Sequence, residues 1–255
     1  MDRLIDVHCH LDFKGIIERL DEVIQNAKKA GVKRIVTSGI TPETNKLILE
    51  IAKKYDIVKP SFGLYPMDAL TRESNEENNF DVDKELEFWN KNKDKFISIG
   101  EIGLDYKNGK DKAMQKSVFE KVLDIAKKLD KPVIIHSRKA EEDALNILES
   151  SGIKKVIMHC FSGKKRLVTR AYDLGYYFTI PTHVVRLQQF QDMAKEIDIN
   201  HLFCETDSPF LSPFKEKLNE PAFVIESYKK IAEVKGMELQ EVINNIWMNF
   251  EKLFL

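Results

Sequence analysis

A chain of 255 residues with 43% hydrophobic side chains, 32% charged side chains and a net charge of -1 has the balance of an ordinary folded protein, which excludes a disordered or a membrane-embedded one. The near-neutral charge gives no strong overall field for nucleic acid, so any phosphate binding must come from a local patch. No apolar run approaches transmembrane length, and the first residues lack the basic and apolar segments of a secretory signal, so the expectation is a cytoplasmic protein without membrane contact.

Leu4 to His10 reads as a first strand, followed by a helix from about Ile16 to Ala30 that repeats apolar residues at Ile16, Leu20, Val23, Ile24 and Ala27 and stops at Gly31. Arg34 to Ser38 is a second strand; Thr41 and Pro42 cap and open a helix reaching about Lys54. Ile57 to Phe62 is a third strand. Gly63 to Phe80, with Glu73, Glu76, Glu77 and then Asp81, reads as a long acidic surface loop before a helix through Leu86 and Trp89.

Phe96 to Glu101 is a fourth strand, Lys112 to Lys128 an amphipathic helix, and Pro132 to His136 a fifth strand. Lys139 to Glu149 is helical, Lys155 to His159 a sixth strand, Lys164 to Leu174 a helix, and Tyr176 to Ile180 a seventh strand. A helix from about Val185 to Lys195 leads to the eighth strand, His201 to Glu205, and two helices, Phe223 to Val234 and Leu239 to Phe254, close the chain.

Eight strands, each followed by a helical segment, suit a closed parallel (β/α)8, or TIM, barrel forming one domain over residues 1–255. The competing architecture is a doubly wound open sheet. The barrel is preferred because ionisable residues stand at the C-terminal ends of strands one, four, five, six and eight, and closure brings such scattered ends to one mouth.

Those ends read His8 and His10, Glu101, His136, His159, and Glu205 with Asp207. Side chains alternate along a strand, so His8 and His10 share a face. Four imidazoles and three carboxylates at one mouth would be costly to bury without partners, and one or two divalent cations would partner them all. A lone histidine at a strand end is ordinarily structural; the coincidence of ligand types at so many strand ends is what favours a metal.

The stretches Asp6-Val7-His8-Cys9-His10-Leu11-Asp12, Gly100-Glu101-Ile102-Gly103-Leu104-Asp105-Tyr106, His136-Ser137-Arg138-Lys139-Ala140, His159-Cys160-Phe161-Ser162-Gly163, Glu205-Thr206-Asp207-Ser208-Pro209 and Asn219-Glu220-Pro221 resemble, in this order, the TatD family of metal-dependent hydrolases, within the amidohydrolase-like barrels. The resemblance implies that His8, His10 and Asp207 hold one divalent cation, His136 and His159 a second, and Glu101 bridges them. Two adjacent ions can lower the pKa of water and clamp both ends of a phosphoryl displacement, with Asp207 shuttling the proton. Zinc, manganese, magnesium, nickel and iron all suit such a set.

Glu205 shares a strand face with Asp207, so it either positions water or substrate as a further catalytic group or supports a ligand from behind. Asp105 and Arg138 lie just beyond ligand-bearing strands as candidate substrate contacts, Arg138 as a bidentate phosphate fork or as a surface residue paired with an acid. Lys164, with Lys165 and Arg166, opens a helix and could meet a phosphate backbone or form a solvated face. His183 follows strand seven as a candidate substrate contact, whereas His201, at the opposite end of strand eight, is structural. Cys9, Cys160 and Cys204 form no Cys-x-x-Cys pair and read as buried thiols, Cys9 and Cys160 facing the helices.

Two departures from the family pattern fall in the pocket wall. Where many members carry Gly-x-His-Pro-His after strand three, this chain has Gly63-Leu64-Tyr65-Pro66-Met67, and after strand seven it has Ile180-Pro181-Thr182-His183. By resemblance the function is an exonucleolytic deoxyribonuclease acting on DNA. The alternatives are hydrolysis of a small ester, lactone, amide or phosphoester on the same metals, and a metal-stabilised binding protein without turnover. A monomer without an obligate protein partner is expected.

Overall fold

Strands β1 (Leu4–Cys9), β2 (Val32–Ser38), β3 (Val58–Leu64), β4 (Ser98–Asp105), β5 (Val133–Arg138), β6 (Val156–Met158), β7 (Tyr177–Pro181) and β8 (Leu202–Glu205) lie side by side in chain order, each parallel to the next. This computed structural model describes residues 3–66 and 80–255. Past the strand ends the ring is joined by main-chain bonds from Asp207 N to the His8 carbonyl, 3.0 Å, and from His10 N to the Ser208 carbonyl, 2.8 Å. The architecture is a TIM barrel.

The helices α1 (Leu20–Lys29), α2 (Pro42–Lys54), α3 (Val82–Lys91), α4 (Lys112–Leu129), α5 (Glu141–Ser151), α6 (Lys165–Asp173), α7 (Gln188–Glu196), α8 (Ile225–Lys235) and α9 (Leu239–Phe254) cover the sheet. Their apolar stripes meet strand residues such as Ile5, Ile35, Phe62, Ile134 and Phe203 in one continuous core. The Thr41 hydroxyl accepts from Thr44 N and the Thr44 hydroxyl from Thr41 N, a reciprocal cap with Pro42 in the first turn of α2. Asp81 caps α3 through Lys84 N, so the last acid of the predicted acidic loop starts a helix. Residues 67–79, including Met67, Glu73, Glu76 and Glu77, lie outside the described residues. Among the described residues no helix is long and apolar enough to cross a membrane.

Boundary differences have physical causes. The first predicted helix starts as a separate 3-10 turn, Ile17–Arg19, because Phe13 O takes the amides of both Ile16 and Ile17. β4 runs four residues beyond Glu101, since Ile102, Gly103, Leu104 and Asp105 continue pairing with Ile135, His136, Ser137 and Arg138. Gly103 permits that pairing at φ 138°, where a Cβ would stand 2.0 Å from the His136 carbonyl oxygen. The register shifts between Ile99 and Ile102, a break in the ladder that coincides with Glu101.

Candidate metal centre

β1 delivers His8 and His10 inward on alternate positions, and the end of β2 holds both from behind. Ser38 Oγ lies 3.0 Å from His8 Nδ1, and the Ser38 carbonyl accepts from His10 Nδ1 at 3.1 Å. Each imidazole therefore presents Nε2 to the barrel interior. Ser38 had no assigned role in the sequence, although its place at a strand end is the available signal.

Two imidazole nitrogens each lie near the same two carboxylate oxygens. His8 Nε2 lies 3.4 Å from Asp207 Oδ1 and 3.8 Å from Glu101 Oε2; His10 Nε2 lies 3.6 Å and 3.5 Å from the same two oxygens. A tetrahedral ion with ligands at about 2.1 Å separates its ligand atoms by about 3.4 Å, so the spacing matches a shared cation better than direct hydrogen bonds. His8 Nε2 is buried and makes no hydrogen bond, the condition of a donor atom prepared for an ion. Nitrogen and carboxylate donors in this number suit a divalent metal.

The other Glu101 oxygen faces a second group. Glu101 Oε1 lies 2.6 Å from His136 Nδ1 and 3.6 Å from His159 Nε2. Ligand atoms of His8, Glu101 and His159 also lie within 4.8 Å of one another, whereas His136 is drawn into its short bond with Glu101. A single carboxylate thus touches two imidazole clusters with separate oxygens.

Burial and charge act together here. Burial and the neighbouring His159 and His10 lower the His8 pKa and favour neutral imidazole. Burial likewise opposes charge on His136 and His159, but Glu101 and Asp105 raise the first to about 9, and Glu205 raises the second to about 10. Burial alone would raise the pKa values of Glu101 and Asp207; their imidazole neighbours overcome it and hold both carboxylates ionised.

Of the two readings of Glu205 the structure favours support from behind over substrate contact, and the predicted contact at Asp105 is corrected. Glu205 is fully buried, its Oε2 accepting from His159 Nδ1 at 2.8 Å and its Oε1 from Cys160 N at 3.1 Å. Asp105 is fully buried as well: its oxygens receive Lys107 N, Asn108 N, Asn108 Nδ2 and the Tyr65 hydroxyl, which leaves no face for substrate. Sequence alternation places Glu205 on the face of Asp207, and the sequence places Asp105 only beyond a ligand-bearing strand; neither reading says what stands in front of the carboxylate.

Arg138 and His183 line the cleft. Among the described residues Arg138 makes no ion pair, which disfavours the surface-pair alternative, and His183 Nδ1 is buried without a hydrogen bond while its ring packs on Phe190. Lys164 instead borders an adjoining groove of about 570 Å³ that meets the cleft at Ser162 and Gln189. Lys165 is paired with Glu196 at 2.7 Å and Arg166 with Glu142 at 2.9 Å, so two of these three basic residues form a solvated face. His201 packs between Tyr172 and Tyr177 and plays no part in the mouth.

Cys9 is buried as expected, with Sγ 3.6 Å from the Val36 carbonyl. Cys160 departs from expectation and lines the cleft beside His159. β6 stops at Met158, and Cys160 adopts φ 40°, so strand alternation no longer governs its direction. Asp6, quoted in the first motif without a role, accepts from Thr206 N at 2.8 Å and Thr206 Oγ1 at 2.6 Å, tying the approach to Asp207 onto β1. Asn219 Nδ2 donates to the Thr206 carbonyl from the other side, 2.6 Å, which gives the Asn-Glu-Pro motif a positioning role.

A cleft of about 710 Å³ lies over Glu101, His136, His159 and Asp207, walled by Phe13, Lys14, Tyr65 and Phe210, and a lobe of about 320 Å³ extends past Arg138 to His183. Comparison with known proteins agrees with this geometry. A family profile described as TatD related DNase matches residues 5–255. The chain is 34% identical over 258 residues to deoxyribonuclease TATDN3 of Homo sapiens, covering 98% of this chain and 94% of that protein. It is also 34% identical to the uncharacterized metal-dependent hydrolase YabD of Bacillus subtilis, over 98% of both chains. The crystal structure of YjjV, a TatD homolog from Escherichia coli K12, superposes with a TM-score of 0.87 at 26% identity, covering 99% of this chain and 98% of the other. With the family profile matching almost the whole chain, and relatives of this identity across it, the chain belongs to the TatD family and is a TatD-type metal-dependent hydrolase.

Proposed function

We propose that this hydrolase cleaves phosphodiester bonds of DNA, releasing nucleotides from an end. The observation that carries the reading is Glu101, whose two oxygens face different imidazole clusters at the floor of one cleft. His8, His10 and Asp207 would hold one divalent cation, His136 and His159 a second, and Glu101 would bridge them. When bound, such ions supply Lewis-acid charge for activating water and for offsetting charge on phosphoryl oxygens.

This chain's own groups divide the remaining work. Asp207, kept ionised by His10 and His8, would take a proton from attacking water and return it to the departing oxygen. Arg138, facing both lobes, offers a planar fork to a phosphate, and the His183 side chain lines the smaller lobe as a further contact. Phe13 and Phe210, 5.4 Å apart between ring centroids, give the larger lobe an apolar wall suited to a base or sugar, and Lys164 lies where a longer strand would leave the cleft. The relatives' deoxyribonuclease name supports DNA as substrate. The three free cysteines fit a cytoplasmic site of action.

The test is hydrolysis of single-stranded and duplex DNA by chelator-stripped protein restored with individual divalent metals, beside ester and lactone substrates. Stepwise nucleotide release that returns with metal and is lost in Glu101→Ala supports the proposal. Turnover of another substrate class, with DNA untouched under every metal, would overturn it.

A further inference from the structure

Tyr65 stands directly after β3, in the position where the family pattern carries an imidazole, and it is buried against Ile40, Phe13 and Phe80. Its amide donates to the Ile40 carbonyl at 3.0 Å, which fixes the backbone at the barrel mouth. The phenol ring packs on His136 with 4.8 Å between centroids. Its hydroxyl lies 2.8 Å from Asp105 Oδ2 and 3.1 Å from His136 Nε2, while Asp105 Oδ2 lies 3.3 Å from the same nitrogen.

The directions of these bonds follow from what each group can do. An ionised carboxylate only accepts, so the phenol proton goes to Asp105 and the phenol oxygen is left to accept. His136 Nε2 must then be the donor. In the metal-free chain Nδ1 also carries a proton, donated to Glu101 Oε1 at 2.6 Å; a cation that displaces this proton would find the remaining N–H held at Nε2 and the Nδ1 lone pair free to bind it. Asp105 is itself immobilised by the amides of Lys107 and Asn108 and by Asn108 Nδ2, so the device rests on a rigid base.

We propose that Tyr65 is a positioning residue that acts with Asp105 to hold the His136 ring and its Nε2–H tautomer, thereby presenting Nδ1 as a ligand atom. The inference rests on the two-cation reading of the site. It assigns a purpose to the exchange of imidazole for phenol: the hydroxyl reaches the buried Asp105 carboxylate and completes a three-residue support behind one ligand. Asp105 alone would hold Nε2 through the longer contact, and the ring would lose the nearer of its two acceptors.

The test compares wild-type protein with Tyr65→Phe, which keeps the ring packing and removes the hydroxyl, and with Asp105→Asn. Chelator-stripped proteins are titrated with zinc against a chromophoric chelator, and histidine tautomers are read from long-range proton–nitrogen spectra of the zinc-loaded chain. The expected result is two ions in wild type, with Tyr65→Phe weakening one of them about 10- to 100-fold, changing the other less than about twofold, and disturbing the His136 signal. Two ions with unchanged affinities and an undisturbed Nε2–H signal in Tyr65→Phe would overturn the proposal. Uptake of a single ion by wild type would instead remove the two-cation reading, and loss or retention of the Nε2–H signal in Tyr65→Phe would then decide the role of the phenol. If circular dichroism shows Tyr65→Phe unfolded, the wild-type signal decides: Nε2–H supports the assignment and Nδ1–H overturns it.

Discussion

Nδ1 of His159 lies 2.8 Å from Oε2 of Glu205, and both side chains are buried. The pairing fixes the ring so that Nε2 faces Glu101, and it places a negative charge behind a candidate ligand. It also accounts for Glu205 standing one alternation before Asp207 without sharing its exposure to the cleft.

Replacing Glu205 should therefore act on metal affinity. Glu205→Gln retains an acceptor but loses the charge, and is expected to weaken one bound ion about tenfold. Glu205→Ala additionally leaves His159 Nδ1 without its acceptor, while Cys160 N keeps Thr179 Oγ1, and should lower metal-free stability by about 1–3 kcal/mol. Metal titration and urea denaturation in chelator measure the two effects. Unchanged affinity in both variants would show that Glu205 does not support the ligand.

The imidazoles also set a pH dependence. His136 and His159 ordinarily titrate near 6.5 but are raised to about 9 and about 10 in the folded metal-free chain, against burial and by Glu101, Asp105 and Glu205. Folding takes up protons in that interval, so this stabilisation is complete below pH 6.5 and is lost as pH rises through the folded values. Metal binding must displace those protons and therefore gains as pH rises. The melting temperature of the stripped protein should fall between pH 6.5 and 9, while the increase caused by added metal grows. A metal-induced increase that stays constant with pH would contradict the charged state assigned to these histidines.

Arg138 offers a direct test of substrate contact. Arg138→Ala is expected to raise KM for an oligonucleotide about tenfold with a smaller effect on kcat, because a charged hydrogen bond to phosphate is lost. Arg138→Lys should recover part of the loss, since an ammonium keeps the charge without the fork. Steady-state kinetics on a labelled oligonucleotide separate these effects. Identical KM in all three proteins would place the phosphate elsewhere.

A last prediction concerns the continued strand. At Gly103, φ is 138° and an added Cβ would lie 2.0 Å from the His136 carbonyl oxygen. Gly103→Ala should cost about 2–4 kcal/mol through strain and displacement of β5, and should loosen His136 with it. Urea denaturation measures the first consequence and metal titration the second; wild-type values in both would show that the strands can separate without penalty.

Much of the fold was legible because apolar periodicity separates strands from amphipathic helices, and eight alternations leave few architectures. Boundaries were less legible where glycine masked continued pairing, as in Gly100 to Asp105, or where a strand stopped early, as before His159 and Cys160. Among the site residues, His8, His10, Glu101 and Asp207 stood out because ligand types followed apolar strands. Ser38 and Asp6 did not, since a supporting hydroxyl or carboxyl has no spacing rule of its own, and Tyr65 stood out only as a departure from the family pattern.

The sequence by itself determined which donor atoms the barrel carries and which strand delivers each, because alternation of side chains and the identity of strand-end residues are local properties. Only the tertiary structure decided how those donors are used. Joining β8 to β1 carries Asp207 to His8 and His10, the break in β4 register divides Glu101 between two imidazole clusters, and burial turns Glu205 and Asp105 away from the cleft to hold His159 and His136. Each outcome depends on groups distant in the chain that share one desolvated volume, where a carboxylate needs a partner and geometry determines which partner it finds.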